Sequence, residues 1–218
     1  MDRIVHVENI SKKFGEHTIF KNFSMEIQRG EFVVITGESG SGKSTLLNMI
    51  GLLDSPDSGN ITLFSKKNVK PFSKAAEQLL RNNIGYLFQN FALIDNKSVL
   101  YNMKVALLKK DKEKSNELIQ KALQKVGLKG YEEKRIYECS GGEQQRIAIA
   151  RLLIKSCELI LADEPTGSLD EDNKEEVFRL LKELQDEGKT IVVVSHDHGI
   201  IPYANRTIHL HKHLESTL

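Results

Sequence analysis

Cysteine is nearly absent from this chain. Cys139 and Cys157 are the only two, and there is no C-x-x-C pair. That excludes a disulfide framework and suits a reducing cytosol. A surplus of one charge sign is missing as well. The formal net charge is +1, so no basic or acidic field marks the chain for nucleic acid or for a membrane surface. Long apolar runs are missing too. None approaches the roughly 18 residues of a membrane span. Residues 1–8 alternate in polarity, unlike the apolar core of a signal peptide. The expectation is no nucleic-acid partner and no direct membrane insertion, with any membrane role left to a partner chain. Internal repeats and low-complexity segments are also lacking. What remains is an ordinary soluble composition, 39% hydrophobic and 28% charged. Its 218 residues suffice for one large domain, or for a domain with an inserted subdomain.

The most informative stretch is Gly37, Glu38, Ser39, Gly40, Ser41, Gly42, Lys43, Ser44 and Thr45. Residues 31–36 before it are short, apolar and β-branched, as in a buried strand. Residues 45–50 after it read as a helix. Strand, glycine-rich turn, Lys-Ser and helix together hold nucleotide phosphates. The turn points backbone N–H groups inward and the helix N-terminus adds partial positive charge. Lys43 suits the β- and γ-phosphates, and the Ser44 hydroxyl suits Mg²⁺.

The rest of the chain alternates strands with helical segments. Residues 4–10 and 18–27 read as strands around a turn at 12–17. Phe14 in that turn is either a strand-end side chain or a ring for base stacking. Residues 54–59 are a dense turn signal, 61–64 read as a short strand and 75–80 as a helix. Residues 84–88 form a buried strand closed by Gln89, which alone reads as a polar cap. From residue 91 to 126 the pattern turns helical, with a charged, solvated connection at 109–114. Ser140, Gly141, Gly142 and Glu143 open another helix. By the physics of residues 37–45 this is a second anion site, or else simply a capped helix start.

Residues 159–164 are an apolar strand ending in Asp163 and Glu164, which a parallel sheet would aim at a ligand crevice. In a protein with a phosphate loop, Asp163 would hold Mg²⁺ and Glu164 would polarise an attacking water. Residues 165–170 are a turn ending in Asp170, and 171–184 an amphipathic helix. Residues 190–195 form one more buried strand, with His196 at its carboxyl end. His209, His211 and His213 recur at period two. On a strand they would share one face, and a polar outer face of an edge strand is favoured over a metal site.

Together these elements resemble the ATP-binding-cassette (ABC) ATPase family over essentially the whole chain. Residues 37–45 correspond to its Walker A motif, Gln89 to its Q-loop and residues 140–143 to its signature. Residues 159–164 correspond to Walker B, 167–170 to the D-loop and His196 to the H-loop. The signature departs from the usual Leu-Ser-Gly-Gly-Gln, with Cys139 and Glu143 at its ends. Phe14 falls at the family's adenine-stacking position. Residues 164–170 and 88–91 resemble the branch of MacB-type and lipoprotein-releasing ATPases and the cell-division ATPase FtsE.

The resemblance implies an α/β fold: a P-loop NTPase core of the RecA type, an N-terminal antiparallel β subdomain and an inserted helical subdomain. It implies a single domain, 1–218. Residues 1–88 and 158–218 would form the core with its β subdomain, and 89–157 the insert carrying the signature. It implies ATP and Mg²⁺ as ligands, with Ser44, Gln89 and Asp163 toward the metal. Glu164 would be the general base, with Lys43, Gln89 and His196 assisting and Asp170 signalling between sites. Phe14, residues 37–45, Gln89, residues 140–143 and Asp170 would contact the nucleotide across a homodimer. The chain would be peripheral on the cytoplasmic face of the plasma membrane. There it would drive export of a peptide, bacteriocin or lipoprotein-like substrate through a separate permease. The alternative is an ATP-driven regulatory switch of the FtsE kind, without transport.

Overall fold

The computed structural model describes residues 2–107, 112–167 and 169–212. Two sheets organise it. The first is antiparallel, with strand order β2-β1-β4-β5, built from β1 (Arg3–Phe14), β2 (His17–Gln28), β4 (Ser58–Leu63) and β5 (Lys66–Lys67). The second runs β6-β7-β8-β3-β9, from β3 (Phe32–Gly37), β6 (Ile84–Leu87), β7 (Leu159–Asp163), β8 (Thr190–Val194) and β9 (Arg206–Leu210). Its neighbouring strands are all parallel.

Strands β3, β6, β7 and β8 of the parallel sheet are buried on both faces, which explains their largely apolar sequences. Val33, Ile35, Leu159, Leu161, Val192 and Val194 face one way. They pack with α1 (Lys43–Ile50), α2 (Lys74–Asn82) and the inner side of the antiparallel sheet. Phe32, Val34, Ile160, Ala162, Ile191 and Val193 face the other way. There they meet α3 (Val99–Val105), α4 (Lys112–Lys125), α5 (Gly141–Ile154) and α6 (Glu171–Asp186). Helices α3 to α5 all lie between β6 and β7 in sequence. Their apolar side chains, among them Met103, Ile119, Leu123 and Ile147, join the same cluster as the sheet.

Several expectations need correction. Residues 12–14 belong to β1, not to a turn, because Lys12, Lys13 and Phe14 pair with Phe20, Thr18 and His17. Residues 91–98 are not helical. Helix α3 starts only after Ser98, whose hydroxyl accepts from the Tyr101 N–H. The buried Asn102 holds the non-helical segment by bonding both the N–H and the carbonyl of Ile94. The strand β5 had no apolar pattern to announce it. β9 is an edge strand, yet of the three period-two histidines only His209 lies in it; His211 follows its end. His213, Ser168 of the 165–170 turn and residues 109–111 of the charged connection lie outside the described residues.

Candidate active site

The glycine-rich loop joins β3 to α1 at the carboxyl edge of the parallel sheet. Helix α1 begins without a side-chain cap and without an acidic residue in its first turn. Its N-cap, Gly42, sits at φ 92°, a left-handed conformation that glycine adopts freely. Space also demands glycine there. A Cβ on Gly42 would lie 2.4 Å from Ile19 and 2.8 Å from Phe20, so β2 packs directly on the loop. The Lys43 ammonium turns back and donates to the carbonyls of Gly37 and Glu38, each at 2.9 Å. Ser41 is buried and its hydroxyl oxygen has no hydrogen-bond partner.

Across the sheet edge, β7 delivers the two acids. The Ser44 hydroxyl donates to Asp163 Oδ1 at 3.0 Å. Burial pushes the Asp163 carboxyl above its ordinary range; the bond from Ser44 and the charge of Lys43 oppose that rise. A hydroxyl and a desolvated carboxylate converging on one point form the oxygen donor set that a hard cation such as Mg²⁺ takes. Glu164 follows at φ 45°, strained for a residue with a Cβ by about 1–3 kcal/mol. That turn brings its Oε2 to 2.8 Å from His196 Nδ1 and within 3.3 Å of the His196 N–H. His196 itself lies just beyond β8, the strand beside β7, which is why two distant residues meet.

Gln89 follows β6 and is exposed, with its Nε2 near Gly167 on the turn after β7. An open cleft of about 580 Å³ is lined by Phe88, Gln89, Asn90, Phe91, Asp163 and Gly141. The ring of Phe88 stacks on Tyr86, whose hydroxyl donates to Asn48 of α1. Phe14 stands apart at the end of β1. Its ring is 52% exposed, with the Lys12 ammonium 5.1 Å from its centroid.

Ser140 caps α5. Its hydroxyl oxygen accepts from the Glu143 N–H at 3.2 Å, and Glu143 returns a bond from the Ser140 N–H at 2.7 Å. Asp170 caps α6 by accepting from the Asn173 N–H at 2.9 Å, and it also receives the Asn173 amide.

Helix α5 ties these pieces together, which the sequence reading missed. Arg146 donates to Asn173 Oδ1 at 2.6 Å. The same Asn173 oxygen would lie 2.4 Å from a Cβ on Gly142, so a larger residue there would have to push the Asn173 side chain aside. Gln145, fully buried, donates to the Pro165 carbonyl at 2.6 Å. Arg151 donates to the carbonyls of Phe91 and Ala92, both residues at positive φ. The available signal was a polar Gln145 and a cationic Arg151 within a helix that is otherwise apolar on its inner side. Among the described residues, no three His, Cys, Asp or Glu side chains gather into a metal-binding group, and no helix is long and apolar enough to cross a membrane.

Comparison with known proteins adds four findings. The family model described as ABC transporter matches residues 20–167. The chain is 39% identical over 213 residues to the macrolide export ATP-binding/permease protein MacB of Mannheimia succiniciproducens, covering 95% of this chain and 33% of that protein. It is 40% identical over 208 residues to the uncharacterized ABC transporter ATP-binding protein YvrO of Bacillus subtilis, covering 93% of this chain and 91% of that one. Among solved structures it superposes on the dimeric, post-hydrolysis ATP-binding cassette MJ0796 bound to ADP and Pi. The TM-score is 0.85 at 35% identity, with 96% of this chain and 97% of that one covered. The chain spans about a third of the length of the MacB relative.

Proposed function

The chain belongs to the ABC transporter family, and on that premise we propose that it is the ATP-hydrolysing motor subunit of an exporter, working as a head-to-tail dimer on a separate permease. The observation that carries this reading is the pairing of Ser44 with Asp163 and of Glu164 with His196 on one sheet edge, beside a glycine-rich loop. The P-loop fold and the cassette relatives support ATP as the nucleotide.

Residues 37–45 cradle the phosphates. Phosphate oxygens replace the two carbonyls as partners of the Lys43 ammonium. Ser44 and Asp163, with Gln89, would hold Mg²⁺, which when bound neutralises phosphate charge. Glu164 takes a proton from the attacking water, and its bond to His196 fixes the carboxylate's direction. His196 also faces the γ-phosphate. Phe14 offers its exposed ring to adenine. Ser140, Gly141, Gly142 and Glu143 close over the nucleotide of a second copy, because a helix N-terminus attracts anions. Asp170 reports between the two sites. Residues 89–157 move as the helical element that passes closure to the permease.

The relative named for macrolide export supports an export direction. A peptide, bacteriocin or lipoprotein-like cargo fits the branch to which the motifs point. The chain then sits on the cytoplasmic face of the membrane through its permease.

Glu164→Gln tests the proposal. It should sediment as a dimer in ATP and turn over about 10²–10⁴-fold more slowly, the scale of a missing general base. Normal turnover would place the base elsewhere. The membrane protein that co-purifies with this variant in ATP tests the export step. A permease beside a candidate cargo supports it; a partner that bridges to a cell-wall hydrolase overturns it in favour of a regulatory switch.

A further inference from the structure

We propose that Lys134 and Tyr131 are positioning residues that neutralise Glu143, so that a signature carrying a carboxylate can close over the phosphates of a nucleotide bound by a second copy. This inference rests on the head-to-tail dimer proposed above.

An acid in the first turn of α5 is well placed for the isolated helix and badly placed for an anion. It answers the helix's positive end itself, and so competes with the phosphate expected there. It also sets like charge against like charge at a closing interface, where mismatched charges are costly. The structure answers both problems. Glu143 Oε1 accepts from the Tyr131 hydroxyl at 2.7 Å. Glu143 Oε2 accepts from the Ser140 N–H at 2.7 Å and lies 3.3 Å from the Lys134 ammonium. Both carboxylate oxygens are therefore turned toward the protein.

The two partners are held in place rather than loosely paired. The Lys134 N–H donates to the Tyr131 carbonyl at 3.0 Å, a turn that brings the two side chains together. The ammonium stands 4.4 Å from the Tyr131 ring centroid, close enough for a cation–π contact. The Lys134 carbonyl in turn accepts from the Val99 N–H at 2.9 Å, which fixes the loop to the start of α3. The Lys134 and Glu143 side chains are 32% and 18% exposed, so solvent screens the pair only in part. Burial alone would raise Glu143. The bonds from Tyr131, the Ser140 N–H and Lys134 outweigh it and hold the carboxyl below its ordinary range. Ser140 Oγ meanwhile accepts from the Glu143 N–H, leaving the hydroxyl hydrogen free for a phosphate oxygen.

The test is ATP-driven dimerisation of the full chain in the Glu164→Gln background, followed by sedimentation. Lys134→Met should weaken dimerisation about tenfold through the uncovered charge, and Lys134→Arg should restore it. Tyr131→Phe should weaken it in the same direction but less. The decisive readout is the same Lys134→Met change in a chain that also carries Glu143→Gln. With the carboxylate gone, its cost relative to Glu143→Gln alone should fall below about twofold, as for residues that act only through each other. An equal loss in both backgrounds means that Lys134 merely supports the loop, and overturns this inference alone. A Glu164→Gln parent that stays monomeric in ATP overturns the dimer and this inference together.

Discussion

Two helix N-termini in this chain, both proposed to meet nucleotide phosphates, are finished in opposite ways. Helix α1 starts bare, with glycine at its cap, no acid in its first turn, and its N-terminal N–H groups without a side-chain partner. Helix α5 starts closed, with Ser140 and Glu143 satisfying each other. The carboxylates beside them differ in the same sense. Asp163, opposite α1, is raised by burial, whereas Glu143, in α5, is held down by its hydrogen bonds against that burial. The first end is incomplete until a ligand arrives; the second is complete on its own. A site with high resident affinity needs the first kind. A surface that must stay soluble alone and meet its ligand only on closure needs the second.

The largest expected break in this contrast is Lys43→Ala. Removing the cation from the bare end should cost about 10²–10³-fold in turnover, the scale of one lost preorganised donor. Titration with a fluorescent ATP analogue should show weakened binding, and unchanged affinity would end the assignment of Lys43 to the phosphates. Gly42→Ala comes next. The methyl group would have to displace Ile19 and Phe20, and thermal unfolding should show about 1–3 kcal/mol of destabilisation. Because the same contact shapes the loop, nucleotide affinity should fall with stability.

Ser140→Ala attacks the closed end. It should destabilise the chain by about 1 kcal/mol, the usual worth of a cap, or a Tm lower by about 2–4 °C. The bare end has no such cap to lose.

The smallest effects are those of pH, and they should oppose each other. Asp163 has a folded pKa above its unfolded value. The folded chain therefore binds the extra proton, and Asp163 lowers stability as pH rises above about 3.8. Glu143 is depressed, so its contribution is present above about 4.5 and is lost as pH falls. At neutral pH, Asp163→Asn should raise the Tm of the nucleotide-free chain while abolishing hydrolysis, and Glu143→Gln should lower the Tm. Matching signs in the two melts would dissolve the contrast between the ends.

Much of this molecule was legible in its residues for simple reasons. Strands buried on both faces, such as residues 32–35 and 191–194, are read as uninterrupted apolar runs. A phosphate loop announces itself through its glycines and Lys-Ser, because those residue types are required locally. The expected positions of α1, α5 and α6 and of the acids at the end of β7 follow from the same local logic. The turn expected at residues 12–14 failed for a non-local reason. Its lysines looked like solvent, yet Lys12 is buried, with its ammonium on Asp54 and the Ser55 carbonyl, both contributed by a segment 42 or more positions away.

The sequence by itself therefore determined the buried strands, the helices α1, α5 and α6, the α/β class and the phosphate loop, since each depends on residues within a few positions of one another. Tertiary structure alone decided what those elements do to each other. Glu164 meets His196 because β7 and β8 are neighbours in the sheet. Arg151 holds the backbone after Gln89 from 59 residues away. Tyr131 and Lys134 reach Glu143 from a loop that carries no motif. Side-chain partners across such separations are set by the crossing of packed elements, and no local pattern records them.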